Sequence, residues 1–115
     1  MRMVTEVEFS QELRKKLAHL VLKGRMFILG PGRSGAIASA YASHLLGIPF
    51  VPYGAKPPKE LGRALIIDTA ISSGRTIRRA IKKYKEYNPL WVTIYEEPPR
   101  VKFWYERKEP KNESL

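Results

Sequence analysis

Ala64-Leu65-Ile66-Ile67-Asp68-Thr69-Ala70-Ile71-Ser72-Ser73-Gly74-Arg75-Thr76 decides how the rest of the chain is read. The unbroken apolar run from Ala64 to Ile67 suits a strand buried on both faces, and such strands belong to parallel sheets covered by helices. Asp68 closes the run. Small residues and hydroxyls follow, and then Ile77, Ala80, Ile81 and Tyr84 recur at helical spacing, with Pro89 just beyond. The stretch therefore reads as strand, acid, small-residue turn, helix. In an open α/β sheet that turn lies at the carboxyl edge, where ligands bind. A helix N-terminus there presents backbone N–H groups and partial positive charge to an anion. Gly74 lets the backbone approach a phosphate closely, Ser72, Ser73 and Thr76 bring hydroxyls, and Asp68 is placed to reach ligand hydroxyls. The alternative is a plain strand-to-helix turn capped by Ser73 or Thr76.

Outward from this stretch the pattern repeats. Met26-Phe27-Ile28-Leu29 is a second buried strand, broken by Gly30-Pro31-Gly32-Arg33-Ser34-Gly35. Residues 36–46, rich in Ala and Leu, read as a close-packed helix ended by Gly47. Residues 48–53 read as a strand whose Pro49 and Pro52 restrict its ladder bonds, and residues 54–62 as a loop. Residues 90–95 form a strand and residues 101–105 one more, at an edge. Upstream, Thr5 and Glu8 make a capping box and Val4 and Phe9 a hydrophobic staple. Phe9, Leu13, Leu17, Leu20 and Val21 continue that helix to a stop at Gly24. Strands alternating with helices predict a three-layer α/β fold, with a mainly parallel sheet and helices on both faces. One domain is expected over residues 1–106, followed by a charged tail over residues 107–115.

Composition narrows the partners. In 115 residues, 21 Lys and Arg face 11 Asp and Glu, a formal net charge of +10. Such a field attracts nucleotides, sugar phosphates or nucleic acid. There is no cysteine, which excludes disulfides and cysteine-ligated metals and fits a reducing compartment. MRMVTEVEFS lacks the apolar stretch of a secretory signal. No run approaches the ~18 apolar residues of a membrane span. A cytoplasmic protein without membrane contact is expected.

The stretch from Leu65 to Thr76 resembles the phosphoribosyl-pyrophosphate signature of the type I phosphoribosyltransferases: an apolar strand, two acids, and a Thr-Thr/Ser-Gly-x-Thr loop. Asp68 matches the first acid, and Ser72-Ser73-Gly74-Arg75-Thr76 matches the loop that grips the ribose 5-phosphate. Residues 30–35, the helix after them and Leu46-Gly47-Ile48-Pro49 resemble the family's pyrophosphate loop, helix and second strand. The likeness covers about residues 25 to 96. It implies transfer of ribose 5-phosphate from phosphoribosyl pyrophosphate to a nitrogenous base, with Mg2+ bridging pyrophosphate and ribose. Gly32, Arg33, Ser34 and Gly35 would bind pyrophosphate, and Asp68 and Thr69 the ribose. Ser72 to Thr76 would bind the phosphate, and Asp68 would be the catalytic residue. The chain departs from the pattern at Thr69, where the second acid stands, and at Ser72, where purine-using members place a carboxylate. Residues 54–62 are shorter than the flexible loop of active members, and no segment reads as the hood over the base. Residues 27–35 also resemble the opening of sugar isomerase domains, which bind phosphosugars through Ser and Thr hydroxyls.

Further readings concern side chains outside the two loops. Arg75, Arg78, Arg79, Lys82 and Lys83 lie opposite the apolar face of the helix after the phosphate loop. They form either a solvated face or a nucleic-acid surface. His19 and His44 are isolated, and no side-chain spacing forms a metal site. Trp91, Tyr95, Phe103, Trp104 and Tyr105 either stack on a base or bury a sheet edge or homodimer contact. Lys56 and Lys59 either face a pyrophosphate or keep a loop solvated. Three functions follow: an active minimal transferase, a catalytically silent sugar-phosphate-binding module, or a nucleic-acid-binding protein built on the same core.

Overall fold

The computed structural model describes residues 3–70, 74–95 and 102–106. Strand β1 (Met3–Val4) leads into helix α1 (Glu6–Ala18). The helix starts as its sequence dictates. Thr5 Oγ1 accepts a hydrogen bond from the Glu8 amide at 3.2 Å, and the staple residues Val4 and Phe9 are both fully buried. It ends before Leu20 and Val21, short of the stop expected at Gly24. The His19 and Leu20 amides donate to the carbonyls of Lys16 and Leu17, three residues back, which tightens the last turn and breaks the α register. Val21 is left exposed.

Strands β2 (Met26–Leu29), β3 (Arg63–Ala70) and β4 (Leu90–Tyr95) form a parallel sheet in the order β2-β3-β4, with β3 central. The strands are apolar throughout because both faces are covered. Met26, Ile28, Leu65 and Ile67 pack with Phe9, Leu13 and Leu17 of α1 and with Ala38 and Ala42 of helix α2 (Gly32–Leu46). Phe27, Leu29, Ala64 and Ile66 point the other way, onto Ile77 and Ala80 of helix α3 (Arg75–Lys83) and onto Tyr84. Alternation along each strand thus produces three layers. Each large apolar side chain so buried contributes about 1.5–3 kcal/mol.

Two strand boundaries differ from expectation. Residues 48–53 pair only at Phe50, which bridges Ile28 in parallel. Pro49 accepts from the Ile28 amide and Val51 donates to the Ile28 carbonyl, both at 2.8 Å. The flanking Pro49 and Pro52 have no N–H to extend the ladder. Strand β3 runs past Asp68, because Asp68 pairs with Thr93 and Ala70 with Tyr95. Strand β5 (Lys102–Phe103) joins β1 in a small parallel pair, with a 3-10 turn over Trp104–Glu106. Val101 and residues 107–115 lie outside the described residues, so the expected strand over 101–105 is seen only in part. Among the described residues no helix is long and apolar enough to cross a membrane.

Candidate functional site

Both glycine turns come to the carboxyl edge of the sheet. Gly30 follows β2 and lies directly against β3: a Cβ there would sit 2.2 Å from the Ile67 carbonyl oxygen and 2.6 Å from Ser39 Oγ. Gly35 packs back onto the same turn, since its Cβ would meet the Gly30 carbonyl carbon at 2.6 Å. These two glycines let α2 start hard against the sheet. Gly32 differs. It takes φ +67° and nothing lies within 4 Å of where its Cβ would be. Gly32 and Arg33 are exposed, so the open part of the turn faces solvent. Ser34 is half-buried, and its Oγ accepts a hydrogen bond from the Tyr105 hydroxyl at 2.8 Å.

Asp68 lies near the end of β3. Ala64 and Ile66, four and two residues before it, face α3, and strand alternation puts Asp68 on that same side. It is 8 % exposed. Burial pushes its carboxyl above the usual carboxylate range, and the hydrogen bond from the Thr69 amide to Oδ1, at 2.8 Å, opposes the shift. Thr69 is itself buried and reaches Asp68 through this amide.

Gly74 is the N-cap of α3, with φ +80°. It carries no side chain to cap the helix, and the first-turn amides have no acceptor inside it. Arg75 and Thr76 are exposed. Ile71, Ser72 and Ser73 lie outside the described residues, so two members of the expected phosphate loop cannot be placed. Arg78 is the residue that sequence reading assigned elsewhere. Its Nη1 lies 2.8 Å from the position a Gly74 Cβ would take, so its guanidinium folds back over the turn. The i to i+4 spacing from Gly74 to Arg78 was the available signal. Asp68, the α3 N-terminus and a guanidinium therefore share one face of one sheet edge.

The residues expected to cover or extend this site behave differently from their sequence readings. Lys56 is turned to the end of α3, with its Nζ 4.0 Å from Glu86 Oε1. The same Nζ donates to the Lys83 carbonyl at 2.6 Å and lies 4.9 Å from the Tyr84 ring centroid. Lys59 lies over Tyr87. The Tyr84 hydroxyl accepts from the Gly54 amide at 2.6 Å and donates to the Ala55 carbonyl at 2.8 Å. The Tyr87 hydroxyl donates to Pro57. The 54–62 connection is thus fastened to the end of α3. Four of the late aromatics bury structure: Phe103 packs edge-on against Phe9 and Tyr95, and Trp104 against Tyr41 and Tyr105, whereas Trp91 on β4 is exposed. A cleft of about 410 Å³, lined by Arg25, Gly47, Pro49 and Glu60 among others, lies at the opposite sheet edge, where β2 and β3 begin.

Among the described residues no three His, Cys, Asp or Glu come together as a metal site. Asp68 alone fits magnesium only if a ligand's own phosphates supply the remaining oxygens, which is a common arrangement for that ion.

No sequence family matches the chain, and no curated protein does. Solved structures do. The xanthine-guanine-hypoxanthine phosphoribosyltransferase of Helicobacter pylori superposes with a TM-score of 0.72 at 12 % identity, covering 91 % of each chain. A purine phosphoribosyltransferase from Pyrococcus horikoshii gives 0.70 at 19 %, covering 99 % of this chain and 100 % of its own. An adenine phosphoribosyltransferase from Thermoanaerobacter pseudethanolicus gives 0.58 at 15 %, over 79 % and 81 %. The chain has the phosphoribosyltransferase fold.

Proposed function

We propose that this is a cytoplasmic protein that binds phosphoribosyl pyrophosphate, or a related ribose 5-phosphate or nucleotide, and transfers ribose 5-phosphate to a nitrogenous base. The observation that carries the reading is the convergence at one sheet edge of buried Asp68, the α3 N-terminus at Gly74 and the Arg78 guanidinium. A dianionic phosphate suits the last two, because amides and a guanidinium both donate to phosphate oxygens. Asp68, as an anion, accepts hydrogen bonds from ribose hydroxyls one loop away.

In this reaction the nitrogen of the base attacks the anomeric carbon, the bond to pyrophosphate breaks, and charge builds on the departing oxygen. Backbone amides in the open turn at Gly32 and Arg33 would stabilise that charge. Ser72 to Thr76 would hold the phosphate, and Asp68 with Thr69 would orient the ribose. Ser34 would join the pyrophosphate contacts by exchanging its bond with Tyr105, and Gly35 acts by holding α2 close. Magnesium, when bound, would supply charge neutralisation on the pyrophosphate, with Asp68 as the carboxylate at hand among the described residues. The names of the similar structures put purines first among acceptors.

Calorimetric titration of ribose 5-phosphate, phosphoribosyl pyrophosphate and inorganic phosphate tests the reading. Asp68→Asn is expected to weaken both sugar ligands by about ten- to a hundredfold, the equivalent of a charged hydrogen bond, and to spare inorganic phosphate. Arg78→Gln is expected to weaken all three. Equal affinity of wild type and Asp68→Asn for the sugar ligands would overturn the proposal.

A further inference from the structure

The solvent face of α3 is strongly cationic, and the ribose-phosphate site uses only its first turn. Ile77, Ala80 and Ile81 face the sheet. Arg79, Lys82 and Lys83 are exposed, and the helix contains no acidic residue. Beyond the helix end Lys85 is exposed beside Glu86, which pairs with Lys56 of the fastened connection at 4.0 Å, while Lys59 adds a further cation over Tyr87, so the positive charge is densest on the helix itself. Cations spaced three and four apart form a row along one side of a helix. Here the row leads away from the Gly74 turn. Across the sheet α1 carries Glu6, Glu8 and Glu12 among its basic residues, so positive charge is concentrated on the α3 side.

Of the tyrosines beside these cations, Tyr84 and Tyr87 are buried and Tyr53 is more open. Tyr53 is half-buried, with its ring 5.7 Å from that of Tyr84 and with Lys83 Nζ 5.8 Å from its centroid. The Arg79 charge acts on its phenol as well. An aromatic face flanked by cations is what a single nucleic-acid strand needs: charge for the phosphates and a ring for a base. An acidic protein would use only the charge. We propose that the outer face of α3, with Tyr53 beside it, binds single-stranded nucleic acid, at a surface separate from the ribose-phosphate site.

Fluorescence anisotropy of a labelled single-stranded RNA of mixed sequence, with the full chain, tests this. The combined Arg79→Gln, Lys82→Gln and Lys83→Gln variant is expected to lose tenfold or more in affinity. Its plot of log K against log salt is expected to flatten by about 2, since each phosphate contact on a single strand contributes ~0.7. Tyr53→Leu is expected to lose affinity for the single strand by about tenfold with the salt slope unchanged. Lys15→Gln with Lys16→Gln, on α1, is the control for net charge and should bind as wild type. Saturating ribose 5-phosphate should leave RNA bound, which separates this surface from the site above. The proposal is overturned if wild type does not bind, if the α1 control loses as much as the α3 variant, or if polyglutamate competes as well as RNA. It is also overturned if Tyr53→Leu binds as wild type.

Discussion

Asp68 shows what a residue gives up for a site. A carboxyl whose folded-state value lies above its unfolded one releases its proton less readily in the native protein. The native state then binds more protons than the unfolded state between those two values, so stability falls as pH rises through that window and stays lower above it. Asp68→Asn should therefore raise the melting temperature at neutral pH, flatten this part of the stability–pH curve, and weaken ribose 5-phosphate. A thermal melt series with a parallel titration reads all three. A variant less stable than wild type at neutral pH would contradict the assignment of burial as the dominant effect. At this scale the sequence was informative where one residue type has one plausible use. An acid after an apolar run marks the approach to the carboxyl edge, although β3 continues two residues past Asp68, and Gly74 marks a tight turn. It placed Arg78 on the outer face of the helix without showing that it folds back over Gly74, and it was silent on the Tyr105–Ser34 bond. A long side chain can fold back or extend from the same helix position, and residues 71 apart carry no local signal of contact.

Among elements, the 54–62 connection departs most from its sequence reading. Its length predicts an open site, but not that Tyr84, a fully buried inner-face residue, would hold two of its backbone groups. Tyr84→Phe keeps the ring and leaves the Gly54 amide and the Ala55 carbonyl to find other partners. The expected cost is about 1–3 kcal/mol, with faster hydrogen exchange at Gly54 and unchanged protection in β3. Protection at Gly54 equal to wild type would show that the hydroxyl does not fasten the connection. The helices divide in the same way. The start of α1 was legible because capping is local chemistry. Its end was not, because i to i−3 closure at His19 and Leu20 overrode a periodicity that ran on to Val21. The start of α2 at Gly32, ahead of the expected residue 36, follows from the close approach of Gly35 to Gly30, a contact between turn and helix that composition does not reveal.

At the scale of the whole molecule, an early and a late segment meet, residues 3–4 against 102–103. Sequence reading found three layers and a parallel sheet, because alternation of apolar strands and helices permits little else, but it found no cap. In the structure β1 pairs with β5, Phe103 is 2 % exposed against Phe9, and Tyr105 reaches the first turn of α2. Phe103→Ala should cost about 3–5 kcal/mol and release Tyr105 from Ser34. Denaturant unfolding gives the first, and the ring-proton spectrum of Tyr105 the second. A loss below 1 kcal/mol would mean the strand pair contributes little. With its connection fastened, and with this small strand pair as the cover that the described residues place beside the Gly30–Gly35 turn, the proposed site is open to water on that side. Pyrophosphate release from phosphoribosyl pyrophosphate with purine bases is therefore expected to be slow beside ligand binding. Rapid turnover by a monomer would show that no further cover is needed.

Amide chemical-shift mapping with ribose 5-phosphate tests residue by residue whether a ribose phosphate binds between Asp68 and the start of α3. Saturable shifts are expected at Asp68, Thr69, Gly74, Arg75 and Thr76, with the start of β2 and the cleft around Gly47 unmoved. Shifts centred on that opposite edge, or no saturable shifts at all, would contradict that binding.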